Sequence, residues 1–364
     1  MQYREYGKTG KKVSMLGFGG MRFGEIDNHE KCVEMMVTAA KNGVNYFDTA
    51  PGYAGTKSET VFGLGFAELR RLGLPYYCAT KTFKTTEKDL RIEIEAQLKR
   101  LNIDSIDFYH VWSLKSPQDW HSRKQDNVLR TFAKLKEEGL IKHICASSHM
   151  ERNDIEELLM EGVFEGILFG YSAYNYRTRE AAFNAIRAKK IGAVVMNPLG
   201  GGIIPQHPEL FGFLKKGNED IVSAALAFLW DHQDITSALV GFKDLAQVNE
   251  ALKAVDLYKP RTAKELQAVM GGSSASMEGL CTGCNYCKDC PQEIPIPKYM
   301  DSYNQLLLKK NGTFEEVSNR LRWHWDLDTK KAAECTACGL CEKACTQHIN
   351  IIERLEKIAS QKAE

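Results

Sequence analysis

Eleven cysteines occur in the 364-residue chain, and eight of them fall in two runs near its C-terminal end. The first is Cys281-Thr-Gly-Cys284-Asn-Tyr-Cys287-Lys-Asp-Cys290-Pro291, and the second is Cys335-Thr-Ala-Cys338-Gly-Leu-Cys341-Glu-Lys-Ala-Cys345. Thiolates two residues apart can converge on one iron–sulfur cube, and three such thiolates plus a remote fourth are how paired [4Fe–4S] clusters are held. Zinc is the alternative for CxxC pairs, but a tetrahedral zinc site needs only four thiolates and each run already supplies four. Two [4Fe–4S] clusters are therefore expected. The remaining Cys32, Cys78 and Cys145 lie in apolar stretches and read as small buried hydrophobes.

A second set of reactive side chains lies in the first third of the chain. Asp48, Tyr53, Lys81 and His110 each follow an apolar, strand-like run. Singly, each has a plain structural use. Jointly they make a proton donor: a phenol is too weak an acid at neutral pH unless a neighbouring cation lowers its pKa. Lys81 would supply that charge, Asp48 would hold Lys81, and His110 would orient a carbonyl and share the proton path. General acid catalysis of this kind contributes roughly 10²–10⁴-fold in rate.

The elements that must position these residues alternate regularly. Residues 2–14 read as a hairpin about Gly7-Lys8-Thr9-Gly10. Eight strand candidates follow, at 15–18, 44–49, 76–82, 106–111, 142–147, 166–171, 193–197 and 237–240, separated by stretches with helical apolar spacing such as 30–41, 87–101 and 127–138. Gly43, Gly73, Gly139, Gly162 and Gly192 stand where left-handed caps would end helices. Eight strand–helix units predict a (β/α)8 TIM barrel over residues 1–262, with catalytic groups at the C-terminal ends of its strands. A doubly wound sheet would more often carry a GxGxxG turn after its first strand, and Gly17-Phe-Gly19-Gly20 lacks that spacing. A linker at Gly271-Gly272-Ser273-Ser274 would then lead into a small ferredoxin-like domain over 271–364. The long gap between Cys290 and Cys335, with helix-prone 299–309 and 314–322, makes that domain mainly α-helical.

Composition bounds the rest. Lys and Arg total 48 against 47 for Asp and Glu, which gives no bias toward nucleic acid. The N-terminal residues show no apolar leader, and no run of 18 apolar residues suggests a membrane span. Thiols that ligate iron call for a reducing compartment, so a cytoplasmic protein is expected.

Phe47-Asp48-Thr49-Ala50-Pro51-Gly52-Tyr53, Thr80-Lys81-Thr82 and Asp107-Phe108-Tyr109-His110 resemble the motifs of the aldo-keto reductases, with weaker matches at 14–20 and at Leu239-Val240-Gly241-Phe242. With the cysteine runs, nearly the whole chain resembles the branch of that family whose barrel is followed by a [4Fe–4S] dicluster domain. The resemblance implies an oxidoreductase that passes hydride from NAD(P)H to an aldehyde or ketone, with Tyr53 as the proton donor. It implies cofactor contacts from Gly20 and Met21 after the first barrel strand, from Ser147 and Ser148 at the carboxamide, and from Tyr171 and Met196 beside the nicotinamide. It further implies Asn197, Pro198, Leu199 and Gly200 in the loop after the seventh strand. Gly241, Phe242, Lys243, Gln247 and Glu250 would grip the adenosine phosphate. Lys243, the one cation there, favours NADP over NAD. Tyr171 stands where the family commonly has Gln, Met196 where it has an aromatic, and Ala251 where it often has Asn. Two-cluster ferredoxins exchange their fourth ligand. On that pattern Cys281, Cys284, Cys287 and Cys345 hold one cluster and Cys335, Cys338, Cys341 and Cys290 the other.

A hydride carries two electrons and each cluster moves one, and no flavin motif mediates between them. Besides carbonyl reduction, two readings therefore stand: electron transfer between the clusters and a redox protein partner or substrate, and a non-catalytic binding or sensory role on a retained barrel. The cysteine runs make a direct prediction. Protein purified without oxygen should carry about eight irons and about eight acid-labile sulfides per chain. About four irons, or stoichiometric zinc, would exclude two clusters.

Overall fold

Alternation along short strands sorts side chains into two sets. In Tyr46-Phe47-Asp48, Phe47 faces outward into the apolar layer beneath the helices, while Tyr46 joins an interior set with Ala79, Phe108, Cys145, Leu168, Val194 and Leu239. The computed structural model describes residues 1–150, 152–173, 175–272, 280–281, 287–308, 312–345 and 349–361. Strands β1 and β2, Tyr3–Glu5 and Lys12–Ser14, form an antiparallel hairpin. Strands β3 to β10 are Leu16–Gly19, Tyr46–Asp48, Tyr77–Thr82, Ile106–Leu114, Ile141–Ser148, Gly166–Gly170, Gly192–Met196 and Ser237–Gly241. They pair in parallel in chain order, and β10 closes on β3, giving the expected eight-stranded barrel.

The hairpin plugs the floor of this barrel. Tyr6, fully buried, stacks on Phe108 at 4.1 Å and lies 6.2 Å from Tyr46. A Cβ on Gly166 or Gly192 would come within 2.1 or 2.2 Å of the Tyr6 side chain, so both positions need glycine for close approach. Gly192 is therefore the first residue of β9 rather than a helix cap, and Lys190, at φ 53°, ends the preceding helix. The other four glycines expected as caps do have positive φ.

Helix Glu87–Leu101 shows how the outer layer is written. The Thr86 side chain accepts from the Asp89 N–H, Leu90, Ile94, Gln97 and Leu101 form the buried stripe, and Asn102 ends the helix at φ 53°. The final barrel helix, Leu245–Leu257, is followed by Ala263–Gly272, whose Leu266, Val269 and Met270 pack on the barrel core. Gly271 and Gly272 thus belong to a helix end and not to a linker, while Ser273 and Ser274 lie outside the described residues.

Beyond them, the C-terminal region is helical: Ile296–Leu308, Phe314–Arg320, Leu340–Ala344 and Ile351–Ala359, with a π-helical turn at Leu321–Trp325. It has its own core of Ile294, Tyr299, Met300, Val317, Leu321, Ile351, Leu355 and Ile358, into which Cys287, Cys341 and Cys345 point. Leu280 and Leu308 instead belong to the barrel's core. Among the described residues no helix is long and apolar enough to cross a membrane.

The floor plug generates a stability prediction. Tyr6→Ala removes a fully buried ring and should cost about 3–5 kcal/mol of barrel stability in anaerobic urea unfolding, as large-to-small core changes do. A loss below about 1 kcal/mol would show that the floor packs without the ring.

Candidate active site and cluster-binding domain

Near the C-terminal ends of β4, β5 and β6 the inward positions turn from apolar to polar: Tyr46 to Asp48, Ala79 to Lys81, Phe108 to His110. On β3, β8 and β10 the corresponding inward residues are Gly19, Gly170 and Gly241. The strand register sets Asp48 beside Ala79 and Lys81 beside His110. The Lys81 ammonium donates to both oxygens of Asp48, at 2.6 and 2.7 Å, with both side chains buried. Burial pushes Asp48 up and Lys81 down, and each partner's charge opposes that push on the other.

His110 Nδ1 lies 3.1 Å from the Thr80 carbonyl, which can only accept, so Nδ1 carries the proton. Nε2 is buried with no hydrogen-bond partner among the described residues and presents a lone pair. Burial, then the Lys81 charge, depresses His110 to about 3, so the ring is neutral at physiological pH.

Tyr53 sits in the loop after β4, half-buried, edge-on to Trp112 with ring centroids 5.7 Å apart. A bulge in β6 between Val111 and Leu114, with Ser113 at φ 56°, accompanies this placement of Trp112, which also stacks on Phe83 at 4.1 Å. Lys81 Nζ lies 5.3 Å from the centroid of the Tyr53 ring, beneath its face. Burial, then the Asp48 charge, raises the Tyr53 pKa, and the cation that opposes them is Arg22. Arg22 is exposed, and its stem lies across Gly241, where a Cβ would meet it at 2.7 Å.

Behind these groups stands a polar network that sequence reasoning missed. Buried Glu59 accepts from Thr80 Oγ1 at 2.7 Å, Gln97 Nε2 at 2.9 Å and Arg100 Nε at 2.8 Å. Gln97 also donates to the Lys81 carbonyl at 3.0 Å and accepts from the Tyr109 hydroxyl at 2.8 Å. It thereby ties β5 to β6 beside the ion pair. The signal was present, since Gln97 is the one polar residue in the buried stripe of its helix.

The expected cofactor residues divide. Gly20 lies against Ser58 and Phe62, where a Cβ would meet atoms at 2.5 and 2.6 Å, and Met21 is exposed beside it. Ser147 faces inward at the end of β7, whereas Ser148 Oγ donates to the Leu114 carbonyl at 3.1 Å and accepts from the Met150 N–H. Tyr171 is a correction: its ring is fully buried among Phe183, Phe228 and His232 in the helix layer, and its hydroxyl pairs with His232 at 3.2 Å, away from the mouth. Met196 faces inward, and Asn197 and Gly200 turn the following loop through left-handed φ, with Pro198 and Leu199 between them. Phe242 is buried against Phe18, so only its backbone is open to a ligand. Gln247 Oε1 accepts from the Lys243 N–H at 2.9 Å, and Lys243 and Glu250 are exposed.

In the C-terminal domain, Cys287, Cys341 and Cys345 are buried, Cys281, Cys290 and Cys335 half-buried and Cys338 exposed, while Cys284 lies outside the described residues. Among the described residues no three metal-binding side chains already form a cage. Thiols set in or beside an apolar core fit iron–sulfur ligation. Burial lowers Arg354, and Tyr303, Cys281 and Cys345 oppose it, so one guanidinium lies near a thiol of each run. Lys331, raised chiefly by its contact with Glu334, has Cys290 of the first run within electrostatic reach and stands four positions before Cys335 in the chain.

An eight-stranded barrel with Asp, Lys and His at its C-terminal mouth and a phenol above them is the site of a barrel oxidoreductase. The chain belongs to the aldo/keto reductase family, whose model matches residues 15–270, and a 4Fe-4S dicluster domain matches residues 280–350. It is 28% identical to L-galactose dehydrogenase of Arabidopsis thaliana, covering 74% of this chain and 94% of that one. It is 27% identical to the NADH-specific methylglyoxal reductase of Escherichia coli, over 52% of this chain and 62% of that one. An aldo-keto reductase of Bacillus halodurans in its holo form shares the fold, with a TM-score of 0.66 and 24% identity over 74% of this chain and 96% of that one.

The site makes a pH prediction. His110 titrates near 3 and Tyr53 above its ordinary value of 10.0, so neither changes charge in the neutral range. The kcat/KM for carbonyl reduction should carry no ionisation from either group between about pH 5 and 9. A limb near pH 6.5 that vanishes in His110→Gln would contradict the neutral imidazole.

Proposed function

We propose that this chain is an NAD(P)H-dependent reductase of aldehydes or ketones in which Tyr53 delivers the proton. The observation that carries the reading is the buried Asp48–Lys81 pair beneath a half-buried phenol, next to a buried histidine nitrogen that has no partner among the described residues. When bound, a reduced nicotinamide supplies hydride to the carbonyl carbon. The chain's own groups do the rest. Tyr53 stays protonated in the resting site and donates to the carbonyl oxygen as negative charge develops there. Lys81 under the ring and Arg22 at the mouth then stabilise the phenolate until it regains a proton. His110 Nε2 is an acceptor, so it takes a hydrogen bond from the new alcohol or from a neighbouring substrate hydroxyl and does not polarise the carbonyl. Ser147, Met196, Gly20 and the loops 197–200 and 241–250 are the groups that would hold the cofactor. Exposed Lys243 favours NADP, as a single point charge. The names of the two relatives, L-galactose dehydrogenase and methylglyoxal reductase, support a small polar substrate.

Two [4Fe–4S] clusters fit the eight thiols, with Cys281, Cys284, Cys287 and Cys345 for one and Cys335, Cys338, Cys341 and Cys290 for the other. Bound clusters would supply one-electron transfer, and their need for reduced thiols supports the cytoplasm. Electron exchange with a redox protein is the second reading, favoured by the contact between the cluster domain and the barrel mouth at Lys115 and Asp326.

Tyr53→Phe should lower kcat for aldehyde reduction by about 10²–10⁴-fold while the NADPH dissociation constant stays within about twofold. A variant that keeps more than about a tenth of the native rate would rule out Tyr53 as the donor.

A further inference from the structure

We propose that the cluster domain is a built part of the barrel's catalytic mouth, with the turn Leu321–Asp326 seated on the loops after β6 and β7 and His324 a positioning residue for the nicotinamide end of the cofactor site. The proposal rests on the reading above that NAD(P)H binds at this mouth.

Lys115 and His149 are the first residues beyond β6 and β7, so both stand on the face that carries Asp48, Lys81 and His110. The His149 and His324 rings meet edge to face with centroids 4.4 Å apart, and Lys115 Nζ lies 3.4 Å from an Asp326 oxygen. Both imidazoles are half-buried. Burial, then Arg179, Arg320 and Lys115, depresses His149 to about 3, and the same cations add to burial in keeping His324 neutral. Two uncharged rings can pack as aromatics, where two imidazolium ions would repel.

The seat is fixed from both sides. In the cluster domain, Leu321–Trp325 forms a π-helical turn, a geometry frequent at functional sites, which Asp326 closes at φ 61°. Trp325 is buried there, with its Nε1 donating to Asp301 at 2.9 Å, and Arg320 donates to the same carboxylate at 2.8 Å. Trp323 is 76% exposed. The Trp-His-Trp segment is thus divided: one tryptophan packs its own domain, the histidine meets the barrel, and the other faces solvent.

In the barrel, the Leu114 carbonyl accepts from the His149 N–H at 2.8 Å and from Ser148 Oγ at 3.1 Å. The two anchors, Lys115 and His149, therefore grow from the same hydrogen-bonded knot that fixes Ser148 and, one residue back, the inward-facing Ser147. Leu280 and Leu308, buried in the barrel's own core, hold the domain against it independently. Removing His324 would leave His149 without its ring contact and loosen the knot beside Ser147.

Zero-length carbodiimide coupling of the anaerobic full-length holoprotein, read by peptide mass spectrometry, tests the seat without reference to activity. An amide between Lys115 and Asp326 is expected. Its absence in a sample that couples Lys216 to Glu265, a 2.7 Å pair between the barrel and helix Ala263–Gly272, would overturn the proposal. His324→Ala should weaken NADPH binding, followed by fluorescence titration, by about two- to tenfold, the range that an aromatic pair's contribution converts to. Its kcat and iron content should stay near native. Binding within error of native would overturn the positioning role. If His324→Ala fails to keep its iron, the charge swap decides: Asp326→Lys alone should weaken binding, and Lys115→Glu with Asp326→Lys should restore it. A loss that is not restored, or no loss, would refute the role. If the native chain bound no nicotinamide nucleotide, the cofactor reading and the positioning role would both fall, and the seat would still be judged by its cross-link.

Discussion

The Asp48–Lys81 ion pair is the interaction on which the rest of the catalytic half depends. Two charges taken out of water each cost several kcal/mol, and such a pair persists only where geometry is close and further hydrogen bonds complete it. The barrel meets that demand with backbone register. Ala79 lies beside Asp48, which carries Lys81, two residues further along β5, over the carboxylate. Tyr6 closes the floor below the pair, and Glu59 and Gln97 hold the outer side of β5. The same closeness has a chemical consequence. The Lys81 ammonium commits two of its three donors to Asp48 and keeps one for a group above the pair, while burial holds the Tyr53 phenol protonated at rest.

Much of this was legible in the sequence because it depends on periodicity. All eight barrel strands lie within a few residues of their expected bounds, since alternation repeats locally and needs no knowledge of partners. The cluster domain is helical, as the long spacing between Cys290 and Cys335 suggested. What escaped depends on which elements meet. Gly192 looked like a helix cap because glycine has two uses, and only the approach of Tyr6 from 186 residues away along the chain tells them apart. Tyr171 fell one residue past the inward Gly170, and a single step along a strand exchanges the mouth for the helix layer. The proximity of Arg22 to Tyr53 comes from folding the loop after β3 against Gly241, which no local pattern announces.

The two halves of the chain are joined by more than their connection. Helix Ala263–Gly272 packs on the barrel, Leu280 and Leu308 enter its core, and the π-helical turn reaches its mouth. Hydride transfer needs a mouth closed to bulk water, and electron transfer needs a short route from the cluster domain. One seam at the C-terminal face would serve either chemistry. The difference lies in whether the substrate carbon receives its hydrogen directly from the cofactor.

Isotope tracing asks that question most directly. Reduced nicotinamide cofactor deuterated at the transferred position would be incubated anaerobically with the holoprotein and an aldehyde in ordinary water, and the alcohol examined by mass spectrometry. Direct hydride transfer places one deuterium on the former carbonyl carbon of essentially every product molecule. Product formed with solvent hydrogen at that carbon, while the cofactor is oxidised at the same rate, would contradict the account and assign the reduction to electrons carried through the clusters.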